Sequence, residues 1–246
     1  MLASAAIRDI PLVLLLPVIG FTQQAPAKPL AIPPSQKTLF VNCQANEKPK
    51  KVLSPVSLSE DGTWRAYVEV DVRSDLGCAH TTRLWVARAN APYRLVYLMS
   101  PERTAVENGM EILGWARNSR MILVRTEEWQ FASDALDTPR VLAINAETGM
   151  VYAPRLEAMF QTRQDKNCSF RVVDAGFSAD RNVNILVRAQ FFDFEDGTGL
   201  ELPPAMRCGN AEETWSFNFA TGEIKQVANS QPLLIFKKSL PNRRDQ

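Results

Sequence analysis

His80 is the only histidine in the chain, so any histidine-based chemistry has to pass through it. A serine or cysteine nucleophile needs a base to take its proton and an acid to orient that base. His80 follows Cys78 in a stretch that also carries Arg73, Asp75, Thr81 and Thr82, and no G-x-S-x-G elbow occurs anywhere. The constellation is incomplete, and His80 reads as a solvated loop residue. A carboxylate pair could cleave a glycosidic bond without histidine. The densest acidic stretch, Phe191-Phe192-Asp193-Phe194-Glu195-Asp196-Gly197-Thr198-Gly199, offers Asp193, Glu195 and Asp196. Its spacing misses the calcium-loop pattern D-x-[DN]-x-[DN]-G. The 11 glycines are scattered at turns and form no phosphate-binding loop. The expectation is no catalytic residue, no cofactor and no metal.

Four cysteines remain: Cys43, Cys78, Cys168 and Cys208. No pair has C-x-x-C spacing and histidine is nearly absent, which argues against zinc. An even count in an exported chain argues for two disulfides. Export is what the N-terminus predicts. Arg8 precedes an apolar run, Ile10 to Phe21, and a small-residue site follows at Ala25-Pro26-Ala27. That order of charge, apolar run and A-x-A-like site is the secretory pattern, and the run is too short to span a bilayer. Residues 1–27 are therefore expected to be a signal peptide. The mature protein is then secreted or periplasmic, with no membrane span. Residues 28–37 are a Pro-rich linker, and a basic tail occupies 237–246. Lysine and arginine total 28 against 27 aspartates and glutamates, which gives no reason to expect a nucleic-acid partner.

The body, 38–236, must position whatever chemistry exists. It reads as short apolar or alternating runs separated by turn residues, an all-β pattern. The one helical candidate is Ala153 to Gln164, with Pro154 in its first turn. Three segments open alike: Leu58-Ser59-Glu60-Asp61-Gly62-Thr63-Trp64, Trp115-Ala116-Arg117-Asn118-Ser119-Arg120-Met121, and Phe177-Ser178-Ala179-Asp180-Arg181-Asn182-Val183. Each is a bulky residue, a small residue, a turn with Asp or Asn, and then a strand. A second half recurs as Arg83-Leu84-Trp85-Val86, Arg140-Val141-Leu142-Ala143 and Glu213-Thr214-Trp215-Ser216. The last two copies continue through matching turns, Asn145-Ala146-Glu147-Thr148-Gly149 and Asn218-Phe219-Ala220-Thr221-Gly222. Each unit is thus four strands with a long insertion between the second and third.

The run Ser59-Glu60-Asp61-Gly62-Thr63-Trp64-Arg65-Ala66-Tyr67-Val68, followed by Arg83-Leu84-Trp85-Val86, resembles a TolB-type β-propeller repeat. The family's turn proline is replaced by Glu60, Arg117 and Ala179, and only the first copy keeps the glycine. The resemblance covers about residues 52–228 and implies fold rather than activity. The fold expectation is three degenerate four-stranded repeats in a partial or irregular propeller-like array, with a disulfide-stapled β-sandwich as the alternative. Three units are too few to close a ring of the usual 4–8 blades. Strands at Thr38–Asn42 and Leu233–Phe236 could build a fourth blade, or a homodimer could cover the open edges.

The cysteines follow the repeats. Cys43 and Cys168 each precede a first strand, and Cys78 and Cys208 each lie in an insertion. Of the three pairings available, this favours Cys43–Cys78 with Cys168–Cys208. Two insertions also carry aromatics beside acids: Trp129 and Phe131 after Glu127-Glu128, and Phe192 and Phe194 around Asp193. These four are the candidate partner-binding residues, with a protein or cell-envelope component as the partner. The functional expectation is an exported, non-enzymatic binding or scaffold module. The alternative is a secreted or periplasmic hydrolase that uses insertion-loop carboxylates on a glycan.

Overall fold

Strands in this protein start where a side chain has folded the turn before them. In the computed structural model, Asp61 Oδ1 accepts from the amide of Thr63 (2.9 Å) and from Ser59 Oγ (2.8 Å). The amide of Trp64 donates back to Ser59 Oγ at 2.9 Å, and Gly62 takes a positive φ of 71°. A short acceptor side chain thereby stands in for main-chain bonding and turns the chain. The structure describes residues 48–73, 79–100, 106–117, 120–130, 140–156, 168–179, 184–193, 211–238 and 240, all within one unit, Ile32–Gln246.

Three antiparallel sheets result. The first contains β1 (Lys50–Leu53), β3 (Trp64–Arg73), β4 (Ala79–Arg88) and β5 (Arg94–Met99) in that order, with short β2 (Ser57–Leu58) also on β3. The second runs β6 (Val106–Trp115), β7 (Met121–Gln130), β8 (Arg140–Asn145) and β9 (Val151–Tyr152). The third runs β10 (Cys168–Phe177), β11 (Asn184–Asp193), β12 (Glu212–Asn218) and β13 (Ile224–Val227). The turns after β8 and β12 share their bonding. Asn145 Oδ1 accepts from Glu147 and Thr148, and Asn218 Oδ1 accepts from Ala220 and Thr221, at 2.9 and 3.1 Å in both cases. Gly149 and Gly222 close them at φ 78° and 74°.

The sheets stack face to face. One core cluster joins the first and second sheets through Val68, Val70, Leu84, Met110, Ile122, Val124 and Leu142. Another joins the second and third through Leu113, Leu123, Val141, Val187, Phe191 and Trp215. The middle sheet therefore buries both faces, which is why β7 and β8 read as continuous apolar runs, Met121–Val124 and Val141–Ile144. The architecture is all-β and propeller-like, and among the described residues no closed barrel forms.

Leu233–Phe236 does not build a fourth sheet. It is a strap across the leading edges of the three sheets already present. Leu234 exchanges main-chain bonds with Phe177 (2.8 and 2.9 Å), Phe236 does so with Trp115 (2.9 Å each), and the amide of Leu58 donates to Lys238 O (2.8 Å). Successive alternate residues of one extended segment thus meet Phe177, Trp115 and Leu58, the bulky residue that opens each repeat. Glycine precedes two of them. A Cβ on Gly114 would come within 2.6 Å of Phe236 O, and one on Gly176 within 2.9 Å of Leu233 Cβ. Thr38–Asn42 lies outside the described residues. So does nearly all of the helical candidate 153–164, whose described part ends at Leu156 with helical backbone.

Candidate functional site

Pairing between β6 and β7 brings charged groups to one stripe of the second sheet. Glu107 lies opposite Trp129, Gly109 opposite Glu127, and Glu111 opposite Arg125. Alternation turns Leu113 and Leu123 toward the third sheet, and Glu111, Arg125 and Glu127 continue along that face. The apolar packing gives way there to a cleft of about 260 Å³. Glu111 and Arg125 line one wall, Val172 and Asp174 of β10 another, and Lys237 of the strap closes a side. The register of β10 and β11 shifts between Val172 and Asp174, a bulge that re-aims the side chain at that point.

Arg125 is the hub of the cleft. Its Nη2 is 3.1 Å from Glu111 Oε2 and its Nε is 3.4 Å from Glu127 Oε1. Burial pushes the Glu127 carboxyl above the ordinary carboxylate range; Arg125 opposes that shift and Glu111 adds to it. A carboxyl whose protonated form is favoured by burial, beside a second carboxyl on the same guanidinium, is an arrangement suited to moving protons.

At the other end of the β6–β7 pair, Glu107 and Trp129 meet the first sheet instead, in a site closed to solvent. His80 is 0% exposed and Glu107 3%. His80 Nε2 is 3.9 Å from Glu107 Oε1, and the indole of Trp129 donates to Glu107 Oε2. The His80 and Trp129 rings meet edge to face, with centroids 5.9 Å apart. Asn108 Nδ2 donates to His80 O at 2.7 Å, and Thr82 Oγ1 to Asn108 O at 3.2 Å. His80 is thus a buried residue of β4, not a solvated loop histidine. Strand β6 of the second sheet lies against it through Glu107 and Asn108.

Of the expected partner-binding residues, the described ones lie in different sheets. Trp129 lies in β7, which runs to Gln130, so Glu127–Gln130 are strand rather than insertion. Phe192 in β11 is 37% exposed, while Phe191 is buried under the second core cluster, as strand alternation requires. Phe131 and Phe194 lie outside the described residues. Cys168 opens β10; Cys43, Cys78 and Cys208 lie outside, and with them both disulfides. Of the insertion carboxylates, Asp193 ends β11, while Glu195 and Asp196 lie outside. Among the described residues no group of three or more His, Cys, Asp or Glu side chains is placed to hold a metal ion. The sequence reading did not single out Glu107, Glu111 or Arg125 at all. The available clue was charge at alternate positions of an otherwise apolar strand, Val124-Arg125-Thr126-Glu127.

No known protein family and no curated protein matches the sequence. Among solved structures, the chain resembles a point mutant of the Synechocystis apocarotenoid oxygenase (ACO) at 11% identity and TM-score 0.37, over 72% of this chain and 39% of that one. It also resembles an ACO/RPE65 chimera (9%, TM-score 0.37, 72% and 38%) and the cobalt-substituted Synechocystis enzyme (9%, TM-score 0.34, 73% and 37%). The chain spans under two fifths of the length of these structures. Those structures are of an oxygenase, at odds with the expectation of a non-enzymatic binding or scaffold module, but a likeness at TM-score 0.37 carries no argument about this chain's activity. So distant a likeness does not say what reaction this chain performs. Of the acids on which the hydrolase alternative rests, Asp193 ends β11 and Glu195 lies outside the described residues.

Proposed function

We propose that the cleft between the second and third sheets is the working site, and that it performs acid–base chemistry on a small polar molecule. One observation carries this reading: Arg125 holds two carboxyl groups, Glu111 and Glu127, and burial favours the protonated form of one of them. In this assignment Glu111 exchanges the proton at the cleft wall, Arg125 orients it, and Glu127, which touches Arg125 outside the lining, sets the charge on that pair. Asp174 and Lys237 orient the ligand at the rim. The lining is balanced, Glu111 and Asp174 against Arg125 and Lys237, which suits a polar molecule without net charge. The test is turnover of a panel of small esters, amides and amino alcohols by the wild type and by Glu111→Gln. The expected result is turnover of at least one compound, lost in the variant. Absence of both turnover and ligand-induced thermal stabilisation across the panel would overturn the assignment.

The same reading places the protein outside the cytoplasm, with the disulfides Cys43–Cys78 and Cys168–Cys208 and repeats of TolB-type ancestry. Its supports are the Arg8 to Ala27 pattern, the even cysteine count, and the recurrence of cysteines at matching repeat positions. A non-reducing peptide map that joined Cys78 to Cys168 would refute the pairing.

A further inference from the structure

The outer face of the first sheet is built like a contact between sheets, yet no described strand covers it. Equivalent positions in the three sheets follow from one recurring bond. The amide of Ser59 donates to Trp64 O, that of Ala116 to Met121 O, and that of Ser178 to Asn184 O. Three residues further along each strand lie Tyr67, Val124 and Val187, opposite Trp85, Leu142 and Trp215. Val124 and Leu142 pack on the first sheet, and Val187 and Trp215 pack on the second. In both cases this cross-strand pair is the one that meets the preceding sheet. Tyr67 and Trp85 hold the same place with no preceding sheet among the described residues.

The face has the composition of an interface. The Tyr67 and Trp85 rings lie within 16° of parallel, with centroids 6.4 Å apart, and Tyr93 meets Tyr67 edge-on at 4.8 Å. Beside them on β5, opposite Trp85 and Arg83, Leu95 and Leu98 are 43% and 50% exposed. Tyrosine, tryptophan and arginine are the residues on which association energy concentrates. Further along, Glu69 pairs with Lys51 (3.3 Å) and Arg83 (3.2 Å), and Arg83 with Asp71 (3.7 Å).

We infer that this face docks on the same face of a second copy of the chain about a two-fold axis, joining first sheet to first sheet. Acids and bases alternate on one patch, Glu69 and Asp71 beside Lys51 and Arg83, so a two-fold axis passing between them sets acid opposite base, the self-complementarity an isologous contact needs. Head-to-tail docking onto the third sheet is disfavoured because its far face is already closed. Leu186, Thr214 and Ser216 there are buried within the chain.

The test is sedimentation equilibrium of the purified protein over about 1–100 μM, a range that resolves micromolar association. The wild type should be a dimer, and Leu98→Glu should weaken it at least about tenfold. Leu98 is exposed, so the variant should keep the wild-type circular dichroism. Met150→Glu, at an exposed position in the turn between β8 and β9, should leave the dimer intact. A wild type that stays monomeric, or a dimer indifferent to Leu98→Glu, would overturn the inference. So would a monomer whose tryptophan fluorescence shifts with a saccharide, which would assign the face to a sugar.

Discussion

Trp115 and Phe236 exchange both of their main-chain hydrogen bonds, amide to carbonyl in each direction, at 2.9 Å. The two residues are far apart in sequence, and the pairing joins the strap to the leading edge of the middle sheet. Trp115 is fully buried, and its indole N–H donates to Ser57 Oγ of the first sheet at 3.0 Å. Truncation after Gln231 removes the strap bonds at Leu58, Trp115 and Phe177 together. At about 1 kcal/mol for each of these five bonds, plus roughly 2–4 kcal/mol for the lost burial of Ile235 and Phe236, the expected loss is about 7–9 kcal/mol. Urea denaturation of the truncated chain measures it, and a loss under about 1 kcal/mol would show the strap to be dispensable.

Gly114 and Gly62 both have positive φ but differ in surroundings. Nothing lies within 4 Å of a Cβ on Gly62, so Gly62→Ala is expected to cost only backbone strain, about 1–2 kcal/mol. Gly114→Ala adds a collision with Phe236 O and Ile235, so its cost should exceed that of Gly62→Ala by at least about 1 kcal/mol. Equal midpoints for the two variants would argue against the close approach of the strap.

The raised carboxyl of Glu127 predicts a definite pH dependence. Its folded-state pKa lies above its unfolded value, so between the two the folded state binds more protons. The stability this group contributes is full below the ordinary carboxylate range and is lost as pH rises through the raised value. Glu127→Gln should remove that decline. Urea midpoints for both proteins from about pH 4 to 8 would reveal it. Parallel curves would mean that Glu127 titrates ordinarily.

Trp129 and Phe192 separate by stability. Trp129→Ala leaves Glu107 without its indole donor in a closed site, and the expected cost is about 2–4 kcal/mol. Phe192→Ala removes a ring that is already exposed and should cost no more than about 1 kcal/mol. Thermal denaturation of both variants gives the order, and a larger loss at Phe192 would reverse the reading of that strand.

The repeats were legible because their determinants are local. Asp61, Asn145 and Asn218 fold turns with side-chain oxygens that reach only two or three residues, and sequence offsets report such contacts directly. The strap was not legible, because Leu233–Lys238 looks like any short apolar strand and its partners lie in three separate sheets. Gly114 and Gly176, each just before a bulky residue, were the visible trace of it. The cleft was hidden by a different effect. Glu127 and Glu128 beside Trp129 have the composition of a loop, yet they continue β7 because their backbone pairs with Gly109 and Asn108. Polarity along a strand reports what its faces meet, and here one face meets a cleft.

The strap also bears on the order of assembly. Each sheet is formed from neighbouring stretches of chain, so all three can exist before the segment that latches them has been synthesised. The latch then closes the longest loops in the molecule, the step with the highest entropic cost and the slowest kinetics. Until it closes, three rows of unpaired peptide groups stand open to any passing strand, a window in which the half-made chain is exposed to misassociation. A polypeptide delivered from its N-terminus spends that whole interval unlatched.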